Sequence, residues 1–434
     1  MERTLTKDCK KKIGKKVLVK GWMYQLRELG KINFIILWDR SGYIQIVVQD
    51  KKEIAKLKNL HIGTVLGVTG EVKKSAQTEL GVEIANSQLE VLSPVHEAPP
   101  IEYNKESIKA NQNTILNYRP LSIRNEKIRS VFRVQATIME AFRDSLRSQE
   151  FVEFRCPVLM GSPSEGGADV FEVKYFDRSA YLAQSPQLYK QIMLGAYERV
   201  FTLLPVFRAE KHHTSRHLTE ITHMDAEMAF VEDMDDVFVV VEQVVRDIFG
   251  AIEKRNSKDL KRWNVSLPKL PKGRFPRIKI REVLEIVEKR TGKSAKGKKL
   301  DLEPEDEREI GKWAMEEHDT DFLWVTNFFK DKNFYTWNNP DDPSESQSYD
   351  LICRGIEWLS GTIRIEKYEK LIENIKKQSL NVDQFEGYLQ AFKYGMPPEA
   401  GFSFGLERIT QKIFDFDNIR SATLFPRDVE RLTP

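Results

Sequence analysis

VFRAEKHHTSRHLTEITHMDAEMAF, residues 206–230, decides the reading of the whole chain. Phe207, Arg208, Ala209 and Glu210 end one strand-like run. From Thr222 to Phe230 the residues alternate with the period of a half-buried strand. The stretch between them carries Lys211, His212, His213, Arg216 and His217. This pattern predicts an antiparallel hairpin with acids and cations gathered at its tip. Cations aimed at one point suit a polyphosphate, since Arg offers a planar fork and Lys a point charge. A solvated hairpin loop with the same residues is the alternative that this stretch alone leaves open.

The surroundings narrow the class. A chain of 434 residues is long enough for two or three domains, and 41% apolar with 31% charged residues describes a globular protein. The balance of 68 basic and 65 acidic residues leaves +3, so a nucleic-acid surface has to be a local patch. Cys9, Cys156 and Cys353 are scattered and odd in number, which fits neither zinc nor a disulfide framework and predicts a reducing cytoplasm. No apolar run reaches the length of a membrane span, and the basic start (Lys7, Lys10, Lys11, Lys12, Lys15, Lys16) lacks the apolar core of a signal peptide. Histidines 212, 213, 217 and 223 lack the recurrence on one helical face that a zinc site needs.

Towards the N-terminus, Val17–Trp22, Ile32–Asp39 and Tyr43–Val48 read as strands, Lys52–Leu60 as a helix, and Thr64–Val72 and Gly81–Leu92 as strands again. That order is the order of an OB-fold, a five-stranded barrel that binds single-stranded nucleic acid. We assign it residues 1–95. Residues 96–125, with Pro99, Pro100 and Pro120, read as a linker. Lys127–Glu150 is an amphipathic helix with Ile128, Val131, Phe132, Ile138, Met139, Phe142 and Leu146 on one stripe, followed by a strand broken at Pro157. It opens a second domain, 126–434, and the whole is predicted to be α+β. Asp235–Lys254 reads as a further helix, while residues 255–346 carry no legible chemistry.

FRAE, a loop with RHLTE and a strand with DAEMAF resemble motif 2 of the class II aminoacyl-tRNA synthetases. Within them the chain is most similar to the aspartyl/asparaginyl group, of the archaeal aspartyl type. The long helix, strand and proline resemble motif 1, the dimer-forming segment, whereas periodicity alone equally allows an intramolecular core helix. GFSFGLERI, 401–409, resembles motif 3, and SPQLYKQ, 185–191, is a signature of the aspartyl branch.

The resemblance implies a two-step aspartate–tRNA ligase using ATP and Mg²⁺, with tRNA as partner and tRNA(Asn) as a second acceptor left open. It implies that Arg208 holds the α-phosphate, Glu210 the adenine amino group, Arg216 and His217 the outer phosphates, and Arg408 the base and γ-phosphate, with Gly405 letting ATP approach the backbone. Glu165, Gln187, Lys190, Asp225, Ser360 and Arg364 would surround aspartate, Asp225 taking its ammonium. Asp350 and Glu357, spaced to meet in the strand pair Tyr349–Ile363, would hold the metal with Ser360. Phe34, Gln45 and Glu83 would meet the anticodon. By themselves these residues read more plainly: Phe34 as core, Gln45 as strand surface, Glu83 as a cross-strand charge partner, Lys190 as a surface lysine, Asp350 and Glu357 as exposed strand acids.

The chain departs from the family at Ser403 (usually glycine), at Glu399 (usually histidine or glycine) and at Thr362-Ile363. Ser403 is expected to crowd the nucleotide, and Glu399 to point away, because a carboxylate buried beside the substrate would be raised in pKa. Two other functions remain open. One is an amidoligase making asparagine without tRNA, against which the barrel speaks. The other is an inactive RNA-binding paralogue, against which Arg208, Glu210, Asp350, Glu357 and Arg408 speak.

Overall fold

The computed structural model describes residues 1–162, 170–211, 214–293, 301–329 and 333–434. The chain divides into two units, Met1–Ile128 and Arg129–Pro434. In the first, β1 (Lys16–Leu29), β2 (Ile32–Asp39), β3 (Gly42–Val48), β4 (Val65–Lys74) and β5 (Val82–Ser93) close into a barrel in the order β1-β2-β3-β5-β4. Alternation decides its two faces: Asn33, Ile35 and Leu37 point inward and are buried, leaving Phe34, Ile36 and Trp38 half-buried on the outer face. The helix α1 (Lys51–Leu57) is capped by Asp50, which accepts from the backbone of Lys52 and Glu53. Residues 96–125 contain α2 (Gln112–Asn117) and α3 (Arg119–Ser122), and Asn125 donates to the carbonyls of Tyr103 and Lys105.

The second unit is built on an eight-stranded sheet in the order β12-β13-β14-β15-β16-β11-β10-β6. These are β6 (Val152–Glu153), β10 (Arg199–Phe207), β11 (Glu220–Ala229), β12 (Arg277–Lys279), β13 (Phe322–Thr326), β14 (Ser348–Cys353), β15 (Ile356–Arg364) and β16 (Glu399–Gly405). Its pairings are antiparallel except β12 with β13 and β10 with β6. A second, small sheet holds β7 (Leu159–Met160), β8 (Glu172–Tyr175) and β9 (Arg178–Leu182). The strand expected around Pro157 is thus two short strands in different sheets, because proline cannot donate to a ladder.

Two long helices, α4 (Glu126–Ser148) and α6 (Met234–Trp263), cover the sheet's apolar face with Val131, Ile138, Phe142 and Leu146 from one and Val237, Val241, Val244 and Ile248 from the other. α6 outruns its expected end by nine residues, past a non-helical Asn256. The segment that carried no legible chemistry supplies α7 (Ile280–Thr291), α8 (Pro304–His318), β12 and β13. α5 (Gln187–Tyr197), α9 (Tyr368–Lys377), α10 (Glu386–Lys393) and α11 (Leu406–Ile413) complete the unit.

Candidate active site

A cavity of about 340 Å³ opens over the middle of the large sheet, between the β10–β11 hairpin and strands β14 to β16. The hairpin is antiparallel as read, with Phe207 opposite Glu220. Its first strand ends at Phe207, so Arg208, Ala209 and Glu210 lie just beyond it rather than within it, while the Arg208 amide still donates to Thr219 at 3.0 Å.

One end of the cavity is a buried charge cluster. Asp225 and Glu227 are two apart on β11 and so share a face. Lys190, from α5, is 1% exposed rather than a surface lysine. Its ammonium sits 3.1 Å from Asp225 and 2.9 Å from Glu227. Arg364, from the end of β15, donates from Nε to Glu227 at 2.7 Å and lies over the Tyr335 ring. Gln187 donates to Glu227 at 3.2 Å and to Gln191 at 3.1 Å. Gly401 faces Glu227 across β11 and β16, and a Cβ there would meet the Glu227 carboxylate at 1.8 Å, so only glycine fits. Burial alone would raise Glu227, but Arg364 and then Lys190 hold it below its ordinary value. Asp225 is likewise drawn down against its burial, by Lys190, His223 and Ser403.

Of the departures, Ser403 is engaged with the charge cluster and Glu399 behaves unlike its expectation. Ser403 stands opposite both Asp225 and Ser360, donates to Asp225, and lies 3.0 Å from His223 Nδ1. It is therefore committed to the acidic end of the cavity. Glu399 does not point away. It is 0% exposed and faces Arg364 across β15 and β16. Its Oε1 accepts from Gln191 at 2.7 Å, and its Oε2 has no hydrogen-bond partner among the described residues. Burial, then the nearby Glu227 charge, push its carboxyl well above the ordinary range.

The other end holds cations and acids in pairs. His217 lies 3.6 Å from Glu210, and its Nδ1 is 2.6 Å from the Thr214 hydroxyl. Arg408, on α11 just after Gly405, pairs with Glu357 at 3.1 Å, and that charge keeps its guanidinium firmly protonated. Arg216 pairs with Glu307 of α8 at 2.8 Å. Glu407, next to Arg408, also lines the cavity and accepts from the Thr222 amide at 3.0 Å.

Asp350 and Glu357 do not face each other. Asp350 lies opposite Ser360, and an irregularity after Leu351 sets Glu357 opposite Ile352. All three oxygen-bearing side chains nonetheless line the same cavity. Among the described residues no group of three His, Cys, Asp or Glu could hold a metal. Two carboxylates and a hydroxyl suit a hard ion that takes its remaining ligands from phosphate oxygens and water, as Mg²⁺ does. Glu165, His212 and His213 lie outside the described residues.

In the barrel, Phe34 belongs to the half-buried outer face, not the core. Gln45 pairs with Glu83 in register and donates to it at 2.9 Å. Ile36 lies opposite Gln45 on the neighbouring strand, so Phe34, Gln45 and Glu83 share one outer surface.

Three residues escaped the sequence reading. Glu227 could have been found as the same-face neighbour of Asp225. Glu307 and Tyr335 come from the stretch without periodic signal, and nothing in the residue order pointed to them.

Known proteins match this architecture over its whole length. Residues 17–92 match the OB-fold nucleic acid binding domain, and residues 111–429 match the tRNA synthetases class II (D, K and N). An aspartate–tRNA(Asp/Asn) ligase of Aeropyrum pernix is 41% identical over 428 residues, 97% of this chain and 96% of the relative. One of Thermus thermophilus is 40% identical over 433 residues, covering both chains in full. Among solved structures, asparaginyl-tRNA synthetase from Pyrococcus horikoshii complexed with asparaginyl-adenylate superposes with a TM-score of 0.91 at 32% identity, covering 100% of both chains.

Proposed function

The chain belongs to the class II tRNA synthetases of the aspartate, lysine and asparagine group and is an aspartate–tRNA ligase, and from that premise we propose how its side chains divide the work. The observation that carries the reading is the pairing of Lys190 and Arg364 around Glu227 at one end of a cavity whose other end is lined by Arg208, Arg216 and Arg408. Two cations in a buried pocket select a carboxylate side chain. A substrate carboxylate can share these two cations with Asp225 and Glu227, whereas a neutral amide brings them no charge.

Lys190 and Arg364 hold the β-carboxylate of aspartate, and Asp225, aligned by Ser403, takes the ammonium, with Gln187, Glu165 and Ser360 around them. Arg208 holds the ATP α-phosphate, Glu210 the adenine amino group, Arg216 and His217 the outer phosphates, and Arg408 the base and γ-phosphate beside Gly405. The α-carboxylate is already an anion, so attack on the α-phosphorus needs positioning and charge stabilisation rather than a general base. Asp350, Glu357 and Ser360 would hold Mg²⁺, which when bound neutralises phosphate charge and steadies departing pyrophosphate. The 3′-terminal hydroxyl of tRNA then takes the aspartyl group, while Phe34, Gln45 and Glu83 read the anticodon. The names of the Aeropyrum and Thermus relatives support tRNA(Asn) as a second acceptor beside tRNA(Asp).

Two copies would join through the motif 1 segment, where Val152 and Leu159 stand 40% and 46% exposed. The three free cysteines fit a cytoplasmic setting. No helix is long and apolar enough to cross a membrane among the described residues.

The test is aspartate-dependent ATP–pyrophosphate exchange, then charging of purified tRNA(Asp) and tRNA(Asn). Arg208→Ala is expected to lose ~3 kcal/mol of transition-state stabilisation. Exchange within about threefold of wild type in that variant overturns its role. Exchange without charging of either tRNA, but with asparagine formed from ammonia, would favour the amidoligase.

A further inference from the structure

Glu307 does not itself line the cavity but pairs with Arg216, which does, and it has no part in the mechanism above. It sits in the first turn of α8, and the packing around it is tight. A Cβ on Gly355, in the β14–β15 turn, would meet the Arg308 Cα at 2.7 Å. A Cβ on Gly311, one turn further along α8, would meet the Gly355 amide nitrogen at 2.6 Å. Gly355 has φ +68°, a conformation that favours glycine. The helix is thereby pressed onto the turn that leads into Glu357, and Glu307 is held at a fixed place beside it.

From that place Glu307 takes Arg216 at 2.8 Å, with both side chains largely buried, 12% and 21% exposed. Arg408 is paired with Glu357 next door. A carboxylate partner keeps the long, flexible side chain of an arginine that must meet phosphate oxygens in one orientation. The carboxylate supplies two oxygens in the planar spacing a guanidinium fork accepts from phosphate.

We propose that Glu307 is a built-in stand-in for the terminal phosphates of ATP: it holds Arg216 in place in the free enzyme, yields it to the β- and γ-phosphates when ATP binds, and takes it back as pyrophosphate leaves. This rests on the reading that Arg216 contacts the outer phosphates. Glu307 is a positioning residue, since it acts through Arg216. It weakens the grip on ATP and on pyrophosphate alike, and it leaves alone any nucleotide that lacks the outer phosphates.

Calorimetric titration of the full chain with Mg²⁺ and ATP, pyrophosphate or AMP separates the possibilities. Glu307→Gln is expected to bind ATP and pyrophosphate about fivefold more tightly, with AMP unchanged, the size expected for one partly screened ion pair. Arg216→Ala is expected to bind ATP at least about tenfold more weakly, and Arg216→Ala with Glu307→Gln to match Arg216→Ala alone. If Arg216→Ala leaves ATP binding intact, the phosphate reading fails and the stand-in with it. If Arg216→Ala weakens ATP as expected but Glu307→Gln gains nothing, or gains equally for AMP, the stand-in alone is wrong. A gain that persists without Arg216 also overturns it, because the effect would then be general charge repulsion.

Discussion

Arg364 donates from Nε to Glu227 at 2.7 Å, and neither side chain is more than 5% exposed. Glu227 also faces Lys190 at 2.9 Å, so one carboxylate answers two buried cations. Glu227→Gln removes that charge, takes the carboxylate partner from Arg364 and leaves Lys190 with Asp225 alone. The variant is expected to lose ~3–5 kcal/mol of stability, the range for breaking a buried pair by removing one partner. Urea unfolding at neutral pH measures it; a loss below ~1 kcal/mol would mean that the cations find other partners.

The role proposed for Lys190 in the choice of amino acid is tested against asparagine. The wild type is expected to prefer aspartate over asparagine by at least about a hundredfold in kcat/KM for pyrophosphate exchange, and Lys190→Leu to lose most of that preference. Equal use of both by the wild type, or an unmoved ratio in the variant, rejects the assignment.

Asp350 and Glu357 should shift the metal requirement although they are not cross-strand partners. Asp350→Ala and Glu357→Ala are each expected to need about tenfold more Mg²⁺ for half-maximal exchange, with circular dichroism unchanged. Unchanged titrations in both variants would falsify the metal role.

Glu399 makes a prediction about pH. Its carboxyl is raised in the fold above the ordinary value of 4.5, by burial first and Glu227 second, while Arg364, Lys190 and the Gln191 amide only partly offset this, and Tyr388 packs nearby. The folded state therefore keeps a proton that the unfolded chain releases. Its contribution is harmless below 4.5 and becomes a loss of stability as pH rises from there towards the folded value, with a slope of up to ~1.4 kcal/mol per pH unit. Glu399→Gln lacks this slope, so it should gain on the wild type from pH 5 to pH 8, by thermal or urea unfolding. Parallel stability curves for the two proteins would show that the carboxyl is ionised in the fold.

Phe34→Ala, on the outer barrel surface, should weaken tRNA binding by ~1–3 kcal/mol while tRNA-independent pyrophosphate exchange stays near normal. Unaltered charging by a folded variant means that the ring does not stack on a base.

The barrel was legible because each strand alternates against one small interior, so local period and global face agree: Ile32–Asp39 is a strand with the same ends in the residue order and in the fold. The β10–β11 hairpin was legible as a hairpin, although β11 is buried on both faces from His223 to Ala229 instead of half-buried, and the strand-to-helix run at Leu406 was legible through its resemblance to motif 3. Lys190 could not be placed by its own neighbours, since helical spacing does not tell a buried lysine from an exposed one. Glu399 was misjudged because sequence reasoning weighs the charged form, whereas the interior raises the pKa of this carboxyl.

The sequence by itself determined the elements, the order of the motifs and the types of group that could meet a triphosphate and an amino acid. Only the tertiary structure decided who meets whom. Register set Asp350 against Ser360 and, past one irregularity after Leu351, Glu357 against Ile352. Packing brought Glu307 from a stretch without periodicity to Arg216, 91 residues away. Such contacts depend on where whole elements dock, and burial then fixes the charge states, which no local pattern of residues encodes.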